Sequence, residues 1–537
     1  MSKKFQVFLL ASSILIIGFA LVGGLGVHAS DTPKGAYDHI QVYSEVLYHV
    51  RAEYVEEPNM SAVTKGALHG LLESLDANSS YLSPDEYKAF KQKKTTGKAN
   101  IGATISKRFG YAAIISVIPG GPADKAGLSS GDILESVDGQ STHDLSLAAV
   151  KARLVGDSGS RLDCAVIRAR KVEPQKITIV REEVKPPAVQ QQMLPDEIGY
   201  IKSVVLTKGK AAEIESKIKD LQKNGAKKLV LDLRNDSDGD EEEGVAVANL
   251  FLDHGVIASL QGQKYTKVTY NAEPQKKVTD LPLVVLVNRG TASAAEIVSG
   301  AIQDHDRGLI VGEVTFGKGL VQTVYPLSEN TGLALTTAKY YTPSGRLIQR
   351  DYNNVSLYDY YYAREQEDNP NNNANTNSAT PAKEVKLTDS GRTMFGGGGI
   401  TPDVKVKPFK TTHFEDSLLV KYAFFNFAKH YLGNRHVDKN FEVTDAVMQD
   451  FRKFLDSQKI PYTEADLTEG IDYVRSSIKT ELFISEFGQE EGLRVRAEND
   501  PQVVAALNQL PKAKELAENA RKIVAQRAAE AQQQSNR

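Results

Sequence analysis

Between residues of about 188 and 345, helix-like and strand-like stretches alternate along the chain. A polar helical pattern in "GKAAEIESKIKDLQKNG" leads to the apolar "KLVLDLR", then an acidic loop, the helical "GVAVANLFL" and the apolar "LPLVVLVN". "NRGTASAAEIVSGAIQDH" and "GLIVGE" continue the alternation. Such a pattern predicts layered α/β structure with parallel strands, because short apolar runs joined through helices pair side by side in one sheet. In such sheets functional groups gather beyond the carboxyl ends of the strands. The loop after Arg234 and the turn holding Ser293 both fall there.

The flanks differ in character. With 537 residues the chain can form about three or four compact units. Lys3 and Lys4 precede an apolar run from Phe5 to Val27 and a small-residue site ending at Ala29. Residues 1–29 therefore read as a signal peptide or a membrane anchor, with the remainder extracytoplasmic. Residues 30–97 read as a helical segment, with a helix start at Ser83-Pro84-Asp85-Glu86. Residues 98–187 carry short apolar strands between glycine turns and one helix in "LSLAAVKARLVG". Residues 188–410 form the alternating core, in which "DNPNNNANTNSATPA" (about 368–382) is almost free of apolar side chains and reads as a disordered insertion. Residues 411–537 are helical and charged, with a polar tail expected to fray.

Composition removes several function classes. A net charge of -3 carries no electrostatic footprint for nucleic acid. The lone Cys164, in the alternating "LDCAVI", excludes an intrachain disulfide and a cysteine zinc cluster and reads as a buried thiol. The absence of H-E-x-x-H speaks against a zinc peptidase, and no metal or cofactor is expected. Gly312 to Lys318 has the spacing of a phosphate-binding loop, but Gly319 stands where Ser or Thr is needed and "LVQTVYPL" is β-rich. The acidic run Asp236 to Glu243 lacks the glycine and glutamate of a calcium loop and reads as a solvated loop.

Ser293-Ala294-Ala295-Glu296 is a capping-box pattern at a helix start. His305, twelve residues further along that helix, would lie about 18 Å away. It cannot serve Ser293 as a base and suits the helix C-terminus instead. Lys318 stands between Gly317 and Gly319, and strand periodicity would place Gln322 on its side of the chain, able to orient the amine.

Two resemblances extend these readings. "IGATI" followed by "VIPGGPADKAGLSSGDILESVDG" resembles a PDZ domain of bacterial type. The resemblance implies that an extended peptide adds to a sheet edge, its carboxylate held by backbone N–H groups near Ile101, Gly102 and Ala103. "SLDANSSYLSP", "VLDLRN", the stretch from Asn288 to Gln322, "TTAKYYTPSGRLIQ" and "GGGGITPDV" together resemble the carboxyl-terminal processing proteases. That implies a serine endopeptidase with Ser293 as nucleophile, Lys318 as general base and Gln322 positioning the lysine. Chemistry then demands a neutral Lys318, hence a desolvated one, within reach of Ser293 once the site is assembled, since a lysine near its ordinary pKa of about 10.4 is almost wholly charged at pH 7. Oxyanion donors would come from Ala294 and Gly239. The chain departs from the family at Asp238, where a glycine is usual. Arg168, at the end of a PDZ strand, reads first as a surface arginine and second as an interdomain contact.

The expected architecture is thus α+β and multidomain: an N-terminal helical segment, a PDZ domain, an α/β protease core with parallel strands and a C-terminal helical region. The expected partners are protein or peptide substrates with free C-terminal tails. A PDZ adaptor with an impaired core is the competing reading. Homo-oligomerisation through the helical ends and an activating adaptor stay open.

Overall fold

The computed structural model describes residues 36–92, 99–108, 110–168, 173–350, 385–409 and 412–535. The leader or anchor of residues 1–29 and the polar insertion of residues 368–382 lie outside them. Among the described residues no helix is long and apolar enough to cross a membrane. The chain divides into two compact units at Leu68/His69. Within the first lie the helix Ala36–Glu53 and most of the helix Met60–Glu73.

In the second unit, β1 (Ser80–Leu82) and the helix Pro84–Gln92 precede a five-stranded antiparallel sheet: β2 (Ala103–Arg108), β3 (Tyr111–Val117), β4 (Ile133–Val137), β6 (Arg161–Ile167) and β7 (Gln175–Val180). A short β5 (Gln140–Ser141) pairs with β4. The alternation in "RLDCAVI" reappears as alternating burial along β6, where Leu162, Cys164 and Val166 enter the core. Burial pushes the Cys164 thiol up to about 12, so it is an inert apolar residue there. The Ser146 hydroxyl accepts the Ala149 N–H (3.1 Å) and starts the helix Leu147–Leu154. β3 is different: it is buried almost along its whole length. Ala112 and Ile114 join the core of this sheet, while Ile115 packs with Ala292 and Phe316 of the next domain.

The alternating region forms a six-stranded sheet in the order β19 (Val404–Lys405), β14 (Leu309–Gly312), β13 (Leu283–Val287), β10 (Lys228–Asp232), β9 (Ile198–Lys202) and β8 (Gln190–Leu194). All neighbours are parallel except the β8/β9 edge pair. A parallel sheet must be covered on both faces. Leu283, Val285 and Val287 meet Ile218, Val247 and Ile302 of the connecting helices. Val284 and Leu286 instead meet Val503, Ala506 and Leu510 of the helix Pro501–Ser535. The C-terminal region therefore supplies the second cover of the parallel sheet, and its expected fraying tail is helical to Ser535. Phe424, Phe427, Phe451 and Phe454 build the separate core of the preceding helices.

β11 (Val256–Gln261), β12 (Val268–Asn271), β15 (Leu320–Pro326) and β16 (Gly332–Tyr341) form a second, antiparallel sheet, and β1 joins its edge. β1 is the stretch "SYL", a strand within the region read from sequence as helical. The small hairpin of β17 (Val385–Leu387) and β18 (Thr393–Phe395) is tied to the Ser293 helix, Ala294–Asp304, through His305. His305 is the C-cap of that helix, as expected, with its ring nitrogens on Asp389 (2.7 Å) and the Val256 carbonyl (2.7 Å). Burial works against its charge, but these two acceptors prevail and raise its pKa. The contribution is complete below the ordinary value of about 6.5 and is lost as pH rises through the raised native one. The thermal midpoint of His305→Asn should accordingly fall furthest below the parent's at pH 6, with the gap closing by pH 9.

Candidate active site

Two loops beyond the ends of β10 and β13 are stitched into one platform. The Asn235 N–H donates to Asn288 Oδ1 (2.9 Å), and Asn288 Nδ2 returns a bond to Asn235 Oδ1 (2.9 Å). Thr291 Oγ1 donates to the Leu233 carbonyl (2.8 Å), and the Ala292 N–H to the Asp236 carbonyl (2.8 Å). Ser293, at φ 58 and ψ -121, follows in a conformation that costs a non-glycine residue energy. An ordinary N-cap is extended, so this geometry exceeds what capping requires.

Glu296 explains how the turn is held. Its carboxylate is fully buried and accepts the Ser293 N–H (3.1 Å), the Thr315 hydroxyl, the Gly317 N–H (2.7 Å) and the Lys318 N–H (2.8 Å). Burial raises its pKa against the pull of these four donors. The acid read from sequence as half of a capping box thus joins the serine turn to the lysine loop. The capping-box spacing is its only sequence signal, because the other donors come from about twenty residues away.

Lys318 is half-buried, and among the described residues its amine takes no partner, the Ser293 hydroxyl included. Its backbone reaches the platform; its side chain does not yet complete a dyad. Gln322 is not brought to Lys318 either: its amide is exposed and donates to Thr336 (3.5 Å). Strand periodicity does not carry over here because β15 begins only at Leu320, so Lys318 lies before the strand.

Ala294 opens the Ser293 helix, and its backbone presses on the helix Glu241–Asn249 so closely that a Cβ on Gly244 would meet the Ala294 carbonyl at 2.6 Å. Gly239 is bridged to Leu206, whose carbonyl would lie 2.4 Å from an added Cβ. Asp238 is exposed beside it. The acidic run is less solvated than its sequence suggests. The Asp240 carboxylate accepts the Lys208 N–H (3.0 Å), and Glu243 accepts the Gly209 and Ala211 N–H groups (2.9 Å each), capping the helix Lys210–Lys223. Among the described residues no cluster of His, Cys, Asp and Glu could hold a metal ion. The loop Gly312 to Lys318 continues into a strand, and its N–H groups at Gly317 and Lys318 serve Glu296.

Asp236 is fully buried, and both carboxylate oxygens lack a hydrogen-bond partner. Burial raises its pKa well above the usual range and Asp238 pushes the same way, opposed by the nearby Ser203 hydroxyl, which itself donates to the Val205 carbonyl. The folded state therefore retains a proton that the unfolded chain releases above about pH 3.9. Stability falls by about 1.4 kcal/mol per pH unit between the two values. Asp236→Asn should remove this slope, so its melting midpoint should exceed the parent's by more at pH 8 than at pH 5.

The PDZ segment touches this platform directly. Ser116 of β3 is hydrogen-bonded to Ser237, and Ile115 covers Ala292 and Phe316. In the expected carboxylate nest, the Gly102 N–H donates to Asn100 Oδ1 (2.7 Å), and the Ile101 and Gly102 carbonyls accept N–H groups from Ala123 and Ile118. Ala103 begins β2, the edge strand of its sheet. Arg168 donates to the Gly127 carbonyl (2.8 Å), a contact within its own domain. A cavity of about 1170 Å³ opens between the PDZ segment, the ends of β9 and β10, and the C-terminal helices.

Residues 197–354 match peptidase family S41, 114–168 a PDZ domain, and 414–465 the C-terminal helical domain of a probable PDZ-protease. The carboxy-terminal-processing protease of Bartonella bacilliformis is 34% identical over 325 residues, covering 60% of this chain and 75% of the relative. The chloroplastic C-terminal processing peptidase of Tetradesmus obliquus is 34% identical over 322 residues, covering 56% and 68%. The solved photosystem II D1 C-terminal processing protease shares 27% identity at a TM-score of 0.52, over 68% of this chain and 86% of that one. With a peptidase S41 core, a PDZ domain and relatives 34% identical covered to two thirds or more, the chain belongs to the carboxy-terminal-processing proteases and is a serine-type peptidase.

Proposed function

We propose that this protein is an extracytoplasmic endopeptidase that engages free C-terminal tails and cuts with Ser293 and Lys318. The observation carrying this reading is the single buried carboxylate of Glu296, which binds the backbone N–H of both residues and so fixes their two loops together. A hydroxyl attacks an amide only if a base takes its proton, and Lys318 in its neutral form is the base this platform offers. The lysine then returns the proton to the leaving amine. The Ala294 N–H, at the positive end of a helix, and Gly239 would stabilise the oxyanion. The apolar leader supports the extracytoplasmic placement.

The lack of a hydrogen bond between the Ser293 hydroxyl and the Lys318 amine fits a resting state. The PDZ strand leans on all three parts of the site through Ser237, Ala292 and Phe316. Peptide pairing with the free edge of β2 would pull on the same small sheet and release that contact. Gln322 would then swing from Thr336 towards the lysine.

The deciding experiment measures cleavage of an unstructured protein carrying a nonpolar tail, with the tail free or amidated, by the parent and by Ser293→Ala. Cleavage that needs both the free tail and Ser293 is expected. Tail binding without cleavage in the parent would instead favour the PDZ adaptor reading.

A further inference from the structure

The wall of the large cavity holds charges that the catalytic platform does not use. Asp232, at the end of β10, is completely buried. It accepts the Tyr200 hydroxyl (2.5 Å) and a forked set of bonds from Arg234. Arg234 reaches on to Asp500 (2.7 Å) and Gln502 (2.9 Å) at the start of the C-terminal helix. Lys202 and Arg496 line the same cavity, and neither has an acidic side chain within ion-pair distance among the described residues. Burial lowers the Lys202 pKa, with Arg234 and Arg496 adding to the effect and Asp232 and Asp500 opposing it. Burial raises the Glu481 pKa, and Arg496 opposes this. Asp232 and Asp500 on this wall are both engaged by Arg234, which leaves Lys202 and Arg496 without an ion-pair partner of their own among the described residues. Lys202 is half-buried, and a partly desolvated cation without an ion-pair partner is costly unless something supplies the counter-charge.

We propose that Lys202 and Arg496 form a carboxylate-binding subsite in this cavity, which takes a carboxylate of the unfolded polypeptide being processed. This rests on the peptidase reading above and adds a second recognition point. Arg234, locked by Asp232 and Asp500, acts as the rigid floor, so the two unpaired cations are free to grip the incoming group. The cavity is large enough for several residues in extended form. Asn235 and Asn288 line the same cavity, so it opens onto the stitched loops of the active site. A strand anchored there would be held in line with the scissile bond.

The test uses Ser293→Ala chain, so that nothing is cut, and three fluorescent nonapeptides of nonpolar sequence. One ends in a free carboxylate, one in an amide, and one in an amide with an internal glutamate. Binding is compared before and after adding Lys202→Met or Arg496→Gln. Arg496 is exposed, so its exchange leaves the fold testable by near-UV circular dichroism. The free acid should bind at least about tenfold more tightly than the plain amide, as one charge-assisted contact predicts. Each exchange should lower that ratio by about threefold or more, the remainder belonging to the carboxylate nest of the PDZ segment. If the glutamate peptide gains and loses affinity in parallel, the subsite is confirmed with side-chain carboxylates among its ligands. A ratio unchanged in both variants, or absent before exchange, overturns the subsite. Cleavage assays on the unmutated chain report on the peptidase reading separately, because this proposal is decided by binding alone.

Discussion

Turnover should fall by about 10⁴- to 10⁶-fold in Lys318→Met and by a similar factor in Ser293→Ala, with the double variant little worse than either. The two groups act in one proton transfer, so losing either removes the same step. Methionine keeps most of the lysine stem's volume, which confines the change to the base. Single-turnover cleavage of a free-tailed substrate measures the rate, and tail binding measured alongside should stay within a fewfold of the parent. A Lys318→Met enzyme retaining more than about one per cent of activity would exclude the lysine as base.

Glu296→Gln should lower kcat by about 10²- to 10³-fold while leaving tail binding nearly intact, a loss comparable to that of one oxyanion donor. The exchange looks conservative but is not. One oxygen of Glu296 faces Thr315 and Gly317, the other Ser293 and Lys318, and all four are donors. A glutamine must point its own donor NH₂ at two of them, so either the serine turn or the lysine loop loses its anchor. Glu296→Ala leaves all four donors unpaired in a buried site and should cost about 3–5 kcal/mol of stability besides. A denaturant titration measures that cost. Glu296→Gln with normal kcat would show that the loops are held by other means.

Most of the architecture was readable from pattern. The strand–helix alternation over residues 188–345 became the parallel sheet, and the glycine-punctuated strands of 98–187 became the PDZ sheet. Both are local signals, since period and turn chemistry are set by neighbouring residues. Side-chain placement was less readable where the backbone is irregular. Gln322 was expected beside Lys318 from an even strand, but Lys318 precedes the strand and Gln322 stands opposite Thr336, to which its amide donates. The acidic loop was expected in solvent, and Asp240 and Glu243 instead cap a helix some thirty residues away.

By itself the sequence determined the order of the domains, the strand that leads to Ser293 and the loop that carries Lys318. Tertiary structure decided what holds them: Glu296 between the two loops, β3 of the PDZ segment on Ser237 and Ala292, and the C-terminal helix over the second face of the sheet. The division has a physical reason. Hydrophobic period and turn residues act within a few positions, so they are written locally. A buried carboxylate or an apolar contact is satisfied by whichever groups the completed fold brings within about 3–4 Å, however distant in the chain.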